Sequence, residues 1–318
     1  MKSLHLLIAL PARLDSSQDS LRQAAPSLFK LLKRGQSIPP QASLAGSLCQ
    51  AFGIKQQQDW PLAPFCAMAE GYQTEADYWL RLDPVHLEVV MGGLILRPSA
   101  NLQLSMSEAN ALITDINLHW QREGWQIQAT SPTRWYLRLS ETPNLRTTPL
   151  DQMAGDYLTP NLPRGADARL FLNRINEVQM LMHSHSVNLA REEEARPVVN
   201  GLWLWGGGTL SPSKKRIDLC AGDQFEMQAL AQTAGSPFSS PPATLSDLSP
   251  CNNALIALTQ PMRNWDGNLE TQLAQLEQNW FAPLLKQLTW GRIQRLRLDL
   301  IGHQSVNLSP IRAWRFWQ

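Results

Sequence analysis

The segment Gly201-Leu-Trp-Leu-Trp-Gly-Gly-Gly208 constrains the fold more than any other stretch of this chain. In an extended strand Leu202 and Leu204 point to one face, and Trp203 and Trp205 point to the other. A strand that is apolar on both faces is ordinarily central in a sheet covered on both sides. The three glycines after it predict either a close backbone approach or a backbone cradle for an anion. In open α/β sheets ligands sit outside the carboxyl ends of such strands. Trp203, Trp205, Gly206, Gly207 and Gly208 are therefore candidate ligand contacts.

Elsewhere strands and helices alternate. Leu4–Leu10 reads as a buried first strand, and helices are predicted from Pro26 to near Gly35 and from Ala42 to Phe52. Tyr78–Val90 and Leu94–Arg97 flank Gly92-Gly93 as a hairpin, with Pro84 expected to interrupt the first strand. Ser105-Met-Ser-Glu108 is a capping-box signature opening a helix with Ala109, Leu112, Ile113, Ile116 and Trp120 on one face. A further helix is expected to bury Leu170, Phe171, Ile175, Val178, Leu181 and Met182. This alternation predicts an α/β fold, a mixed sheet covered by helices, as one large domain or two closely packed lobes. Single cores stop growing near ~250–300 residues, and the chain has 318. The aperiodic stretch Ser140–Gly165 is expected to be a long functional loop or the connection between an N-terminal α/β region, 1–150, and a C-terminal α/β region, 151–318.

Charge narrows the partners. There are 28 Lys and Arg against 27 Asp and Glu, so no sequence-independent electrostatic grip on nucleic acid or on a membrane surface is expected. No run approaches the ~20 apolar residues of a membrane span. The four cysteines are widely spaced, with neither a disulfide framework nor zinc-ligand spacing. A cytoplasmic protein with buried, reduced thiols is expected.

The densest polar and aromatic block runs from Asn173 to Gly208. His183 and His185 share a face only in extended structure, which disfavours a shared metal and leaves ligand contact or helix capping. Asn188 and Arg191 have the groups to hold a phosphate or carboxylate, although a salt bridge from Arg191 to Glu192, Glu193, Glu194 or another acid is at least as plausible. Asn200 completes the block. A second cluster, Tyr78-Trp-Leu-Arg-Leu-Asp83-Pro-Val-His86-Leu-Glu88, puts Arg81 and Asp83 on one strand face, and His86 and Glu88 together. Asp83 and His86 are candidate ligand contacts or members of ion pairs. No residue has a recognisable nucleophile setting, so none is assigned a catalytic role.

These segments resemble a bacterial family of RpfE-type regulatory proteins, similar to cofactor-independent phosphoglycerate mutases. The resembling pieces are Trp60-Pro-Leu-Ala-Pro64, Tyr78–Leu87, Arg134–Leu137, Leu145-Arg-Thr-Thr-Pro149, Asn176–Asn188 and Asn200–Gly208. The mutase resemblance implies an alkaline-phosphatase-superfamily fold, two divalent metals such as Mn or Mg, and a serine nucleophile. The sequence departs from that pattern: Leu4–Leu10 runs into Pro11-Ala-Arg-Leu-Asp15 rather than Asp-Gly. Asp299-Leu-Ile-Gly-His303 is the sole candidate for the late metal motif. The expectation is a non-catalytic regulatory protein, without cofactor, that binds a small anionic ligand or a protein partner. The alternative is a metal-dependent mutase or phosphotransferase in which Asp83, His183, His185, Asp299 and His303 converge.

Overall fold

The computed structural model describes residues 1–10, 18–74, 77–97, 102–153, 157–211, 215–259 and 269–314. Pro11–Asp15 and the terminal Arg315–Gln318 lie outside the described residues. The chain forms two compact units, Met1–Ile54 with Ser213–Gln318, and Lys55–Pro212. It starts one unit, builds the other entirely, and returns to finish the first. Residue 150 and the stretch Ser140–Gly165 fall inside the second unit, where Arg146 and Arg164 exchange backbone hydrogen bonds of 2.7 and 2.9 Å.

In chain order the first unit opens with β1 (Ser3–Ala9), α1 (Gln18–Ala24), α2 (Pro26–Arg34), β2 (Gln36–Ile38) and α3 (Leu44–Ala51). The second contains α4 (Leu62–Ala69), β3 (Tyr78–Val90), β4 (Gly93–Arg97), α5 (Met106–His119), β5 (Gln126–Ser131) and β6 (Arg134–Leu139). It closes with α6 (Ala168–His183), α7 (Ser186–Glu193) and β7 (Gly201–Gly208). The first unit resumes with β8 (Leu219–Ala221), α8 (Phe225–Thr233), β9 (Phe238–Ser239), β10 (Asn253–Leu258) and α9 (Leu269–Leu276). A π-helical turn, Glu277–Phe281, joins α9 to α10 (Ala282–Thr289). Finally come β11 (Arg295–Ile301), β12 (Gln304–Leu308) and α11 (Pro310–Ala313).

The first unit has a seven-stranded sheet in the order β2-β12-β11-β1-β10-β8-β9. From β11 to β9 every pairing is parallel, and β12 and β2 add antiparallel pairings at one edge. Alternation along β1 sends Leu4, Leu6 and Ile8 into a core with Leu28, Leu31, Trp280, Phe281 and Leu284. His5 therefore belongs to the opposite face. The helix predicted from Pro26 is α2, and it stops where predicted because Gly35 lies against β12. A Cβ at Gly35 would sit 2.6 Å from Val306 Cβ.

The second unit's sheet runs β4-β3-β6-β5, with β7 on the other side of β3. Leu112, Ile116, Phe171, Ile175 and Val178 of α5 and α6 pack against Leu80, Leu82, Leu137, Leu202 and Leu204. The strand Gly201–Gly208 is fully buried, as its two apolar faces require, but it is not central. Among the described residues β7 is bonded to β3 alone, and antiparallel. Helices cover both its faces, so burial does not demand a second neighbour. Pro84 does not interrupt β3 either: it sits between the end of the β6 pairing at Arg81 and the start of the β4 pairing at His86. On that side no ladder needs the missing N–H.

The capping box is present. Ser105 N–H donates to Glu108 at 2.8 Å, and Glu108 N–H donates to Ser105 Oγ at 3.2 Å. Glu108 also accepts from Arg191 at 2.9 Å and Arg196 at 3.0 Å, so Arg191 pairs with this glutamate rather than with Glu192–Glu194. Burial pushes the Glu108 carboxyl up. Donation from the Ser105 backbone and the Arg191 guanidinium outweighs it and brings the carboxyl down to about 2. An unfolded glutamate titrates near ~4.3. The stabilisation from Glu108 is thus present above that value and is lost as pH falls from there towards 2. In urea melts Ser105→Ala should cost about 1 kcal/mol. Glu108→Gln should cost more at pH 7 and flatten the acid limb below pH 4.3.

Candidate functional site

At the centre of the second unit lies an arginine between two aromatic rings. Arg81 is 2% exposed and Asp83 1%, and the guanidinium grips the carboxylate through Nε and Nη2, both at 2.9 Å. Arg81 stands 5.3 Å from the Tyr136 ring centroid and 5.0 Å from that of Trp205. Trp205 Nε1 donates to the same carboxylate at 2.8 Å. The shared strand face of Arg81 and Asp83 is thus an ion pair, closed on both sides by π surfaces.

The remaining residues of the predicted block form a seam of side-chain-to-backbone bonds. Asn188 donates to the Met182 and Val199 carbonyls at 2.8 Å each and accepts from Val199 N–H at 2.9 Å. Asn200 accepts from Leu87 N–H at 2.6 Å and donates to Leu87 O at 2.9 Å. His86 Nδ1 meets Val198 O at 2.9 Å, and Glu88 pairs with Arg97 instead of His86. Arg191 donates to Pro197 O at 2.8 Å and also to Leu102 O. Trp203 Nε1 donates to Thr148 O at 2.9 Å. His185 accepts from Val187 N–H at the start of α7, and its Nε2 lies 3.1 Å from Asp115. His183 ends α6 as an exposed residue, so the two histidines do not converge.

Close approach governs the glycines. Gly206 adopts φ +69. A Cβ on Gly207 would meet Tyr78 Oη at 2.4 Å, and one on Gly208 would meet Pro61 Cβ at 2.4 Å. Gly207 N–H also bonds to Asp59, a buried carboxylate that accepts from Thr147 N–H at 2.8 Å and from the Thr147 hydroxyl. Burial raises the Asp59 pKa against these donors. Asp59 escaped the reading of the sequence, although it directly precedes Trp60-Pro-Leu-Ala-Pro64 and bonds into Leu145-Arg-Thr-Thr-Pro149. Pieces far apart in sequence therefore meet at one carboxylate.

The parallel strands lie in the first unit, and so do the carboxyl ends where α/β ligands are expected. There Thr259 Oγ1 donates to Asp223 at 2.7 Å, and Gln224 Nε2 bonds to both. Deeper in the sheet, Asp299 is fully buried and meets His5 Nε2 at 2.6 Å and Arg297 Nε at 3.0 Å.

The two-metal chemistry implied by the mutase resemblance does not fit these donors. Asp83 and Asp299 each carry an arginine, two residues earlier on the same strand, against the carboxylate. A guanidinium in that position occupies the lone pairs and repels a dication. Among the described residues no group of three or more His, Cys, Asp or Glu is placed to hold a metal ion. Cys49, Cys66 and Cys220 are buried free thiols, while Cys251 is half-buried. No helix among the described residues is long and apolar enough to cross a membrane.

Gly207 supplies a direct check on close approach. Gly207→Ala should destabilise the protein by about 2 kcal/mol through overpacking. Tyr78 Oη has no hydrogen-bond partner among the described residues, so Tyr78→Phe alone should cost little. The double variant should recover part of the loss. A double-mutant cycle in urea reads this coupling, and strict additivity would remove the Tyr78 hydroxyl as the group that excludes a side chain there, leaving Leu80 Cδ2 at 2.7 Å.

No family model matches the chain. One relative is a 2,3-bisphosphoglycerate-independent phosphoglycerate mutase of Methanosarcina mazei, 29% identical over 118 residues, covering 36% of this chain and 30% of the relative. A probable enzyme of the same description from Geobacter sulfurreducens is 26% identical over 137 residues, covering 42% and 34%. The aligned part thus spans about a third of each of these relatives. A cofactor-independent phosphoglycerate mutase structure from Thermoplasma acidophilum aligns with TM-score 0.45 and 14% identity, over 97% of this chain and 90% of that one. A Pyrococcus horikoshii protein aligns with TM-score 0.48 and 15% identity, over 95% and 85%. The sequence relatives of this chain are, over these partial matches, 2,3-bisphosphoglycerate-independent phosphoglycerate mutases.

Proposed function

We propose that this chain is a non-catalytic regulatory protein, related to cofactor-independent phosphoglycerate mutases, that binds a small anionic ligand or a protein partner. The observation that carries this reading is the pairing of Asp83 with Arg81 and of Asp299 with Arg297. Carboxylates that a diverged metal centre would recruit are held by guanidinium groups instead. The partial similarity to mutases supports phosphoglycerates as the first ligands to try. The resemblance to RpfE-type regulatory proteins supports a regulatory role. The competing reading is a metal-dependent mutase or phosphotransferase with diverged ligands, and sequence similarity to named mutases favours it.

A thermal-shift grid separates the two. Mn²⁺, Mg²⁺ and Zn²⁺ are crossed with 2-phosphoglycerate, 3-phosphoglycerate and inorganic phosphate. A ligand at 100 times its Kd stabilises by ~2.7 kcal/mol. The expected result is stabilisation by the anion without any metal, and no interconversion of the phosphoglycerates in a coupled assay. Metal-dependent mutase turnover by the pure protein overturns the proposal.

A further inference from the structure

The first unit holds a small cationic pocket that the residues discussed so far do not explain. Its volume is about 160 Å³, and its walls include Ser3, His5, Lys215, Arg216 and Asn253. Ser3 and Asn253 are aligned partners at the starts of β1 and β10, so the pocket lies at the amino end of the parallel strands. That is the opposite end from the Asp223–Thr259 pair. Lys215 and Arg216 come from the exposed segment before β8.

His5 gives this pocket its chemical character. Its Nε2 is 2.6 Å from Asp299 Oδ2, and Arg297, its register partner on β11, donates from Nε to the same oxygen at 3.0 Å. Burial raises the Asp299 carboxyl, but bonding to His5 and the Arg297 charge bring it below the ordinary value, so it is ionised near neutral pH. An ionised carboxylate only accepts, so the proton of the imidazole sits on Nε2. Burial lowers the His5 pKa and keeps the ring neutral there, with Lys215 and Arg297 acting in the same direction. Nδ1 has no hydrogen-bond partner among the described residues and carries a lone pair. Ser3 Oγ donates to Asn253 Oδ1 at 2.7 Å, which leaves the Asn253 amide protons for another acceptor. The pocket thus offers two cations, an amide donor and one neutral acceptor.

We propose that this pocket binds a small oxyanion bearing a hydroxyl, of the hydrogen phosphate class, with Lys215 and Arg216 neutralising it and His5 Nδ1 accepting its proton. Sulfate has the shape and charge of hydrogen phosphate but no hydroxyl, so its oxygen would face the imidazole lone pair. A buried acceptor left without a donor penalises the wrong ligand. The pocket therefore selects phosphate over sulfate, while Asp299 acts as a positioning residue that fixes the tautomer. This places the anion within the reading of the protein as an anion binder and rests on that reading.

The test is calorimetric titration of the whole protein at pH 7.5 with inorganic phosphate, 3-phosphoglycerate and sodium sulfate, each separately. Phosphate should bind about tenfold or more tightly than sulfate, the equivalent of one good hydrogen bond. Lys215→Ala with Arg216→Ala should abolish binding of both; both residues are exposed, so folding should be retained. His5→Phe should bring phosphate down to the sulfate level, with a thermal melt as the folding control. Equal affinities for the two anions in the wild type would overturn the acceptor role of His5. Phosphate or phosphoglycerate binding untouched by the Lys215 and Arg216 substitutions would refute this site and leave the anion-binding function standing. Absence of binding by every anion would overturn both.

Discussion

The second unit depends on a buried charge pair. Arg81 and Asp83 sit two residues apart on β3, and their enclosure needs Tyr136 from β6 and Trp205 from β7. A one-residue slip of any of these strands would turn its side chain to the other face. Arg81 and Asp83 would stay paired, being on one strand, but a slip of β6 or β7 would take Tyr136 or Trp205 away from the buried charges. A pair of this kind adds little net stability, because desolvation offsets the attraction. Its contribution is register: only one alignment of the three strands encloses the pair between Tyr136 and Trp205 and gives the carboxylate its indole donor. The seam of Asn188, Asn200 and His86 repeats the logic at the other end of β7, tying the approach to that strand to β3 and to the turn between α6 and α7.

The first unit repeats the arginine–x–aspartate spacing at Arg297 and Asp299 with a different outcome. There the carboxylate meets an imidazole rather than an indole, and the imidazole lines a pocket. Spacing alone produces the ion pair in both places, since alternate residues of a strand share a face. What the pair does next depends on the neighbouring strand. In β7 the neighbour is Trp205, which closes the site. In β1 it is His5, which retains one ring nitrogen for a ligand. The segments that carry the sequence resemblance therefore concentrate on holding the second unit together, while the open polar groups lie in strands outside those segments.

Local patterns were largely legible in the sequence. The capping box at Ser105 and Glu108 and the hairpin at Gly92-Gly93 depend on residues close together in the chain. The site was less legible. Asn188, Arg191 and Asn200 carry the groups a ligand site needs, and those groups bond to backbone atoms that are remote or outside any motif. Asp59 passed unnoticed because its partner Thr147 lies 88 positions away. The role of His5 was not legible either, because Asp299 lies 294 positions away.

The sequence by itself determined the mixed α/β class, most of the helices and strands, and the burial of Trp203 and Trp205, since periodicity and capping act over a few residues. Only the tertiary structure decided that β7, among the described residues, pairs with β3 alone, that 55–212 forms a compact unit inserted in sequence between the two segments of the other, and which carboxylate each arginine holds. Those outcomes depend on which strands pair. Strand pairing is a long-range choice, set by fitting whole faces and buried charges together, and no local spacing encodes it.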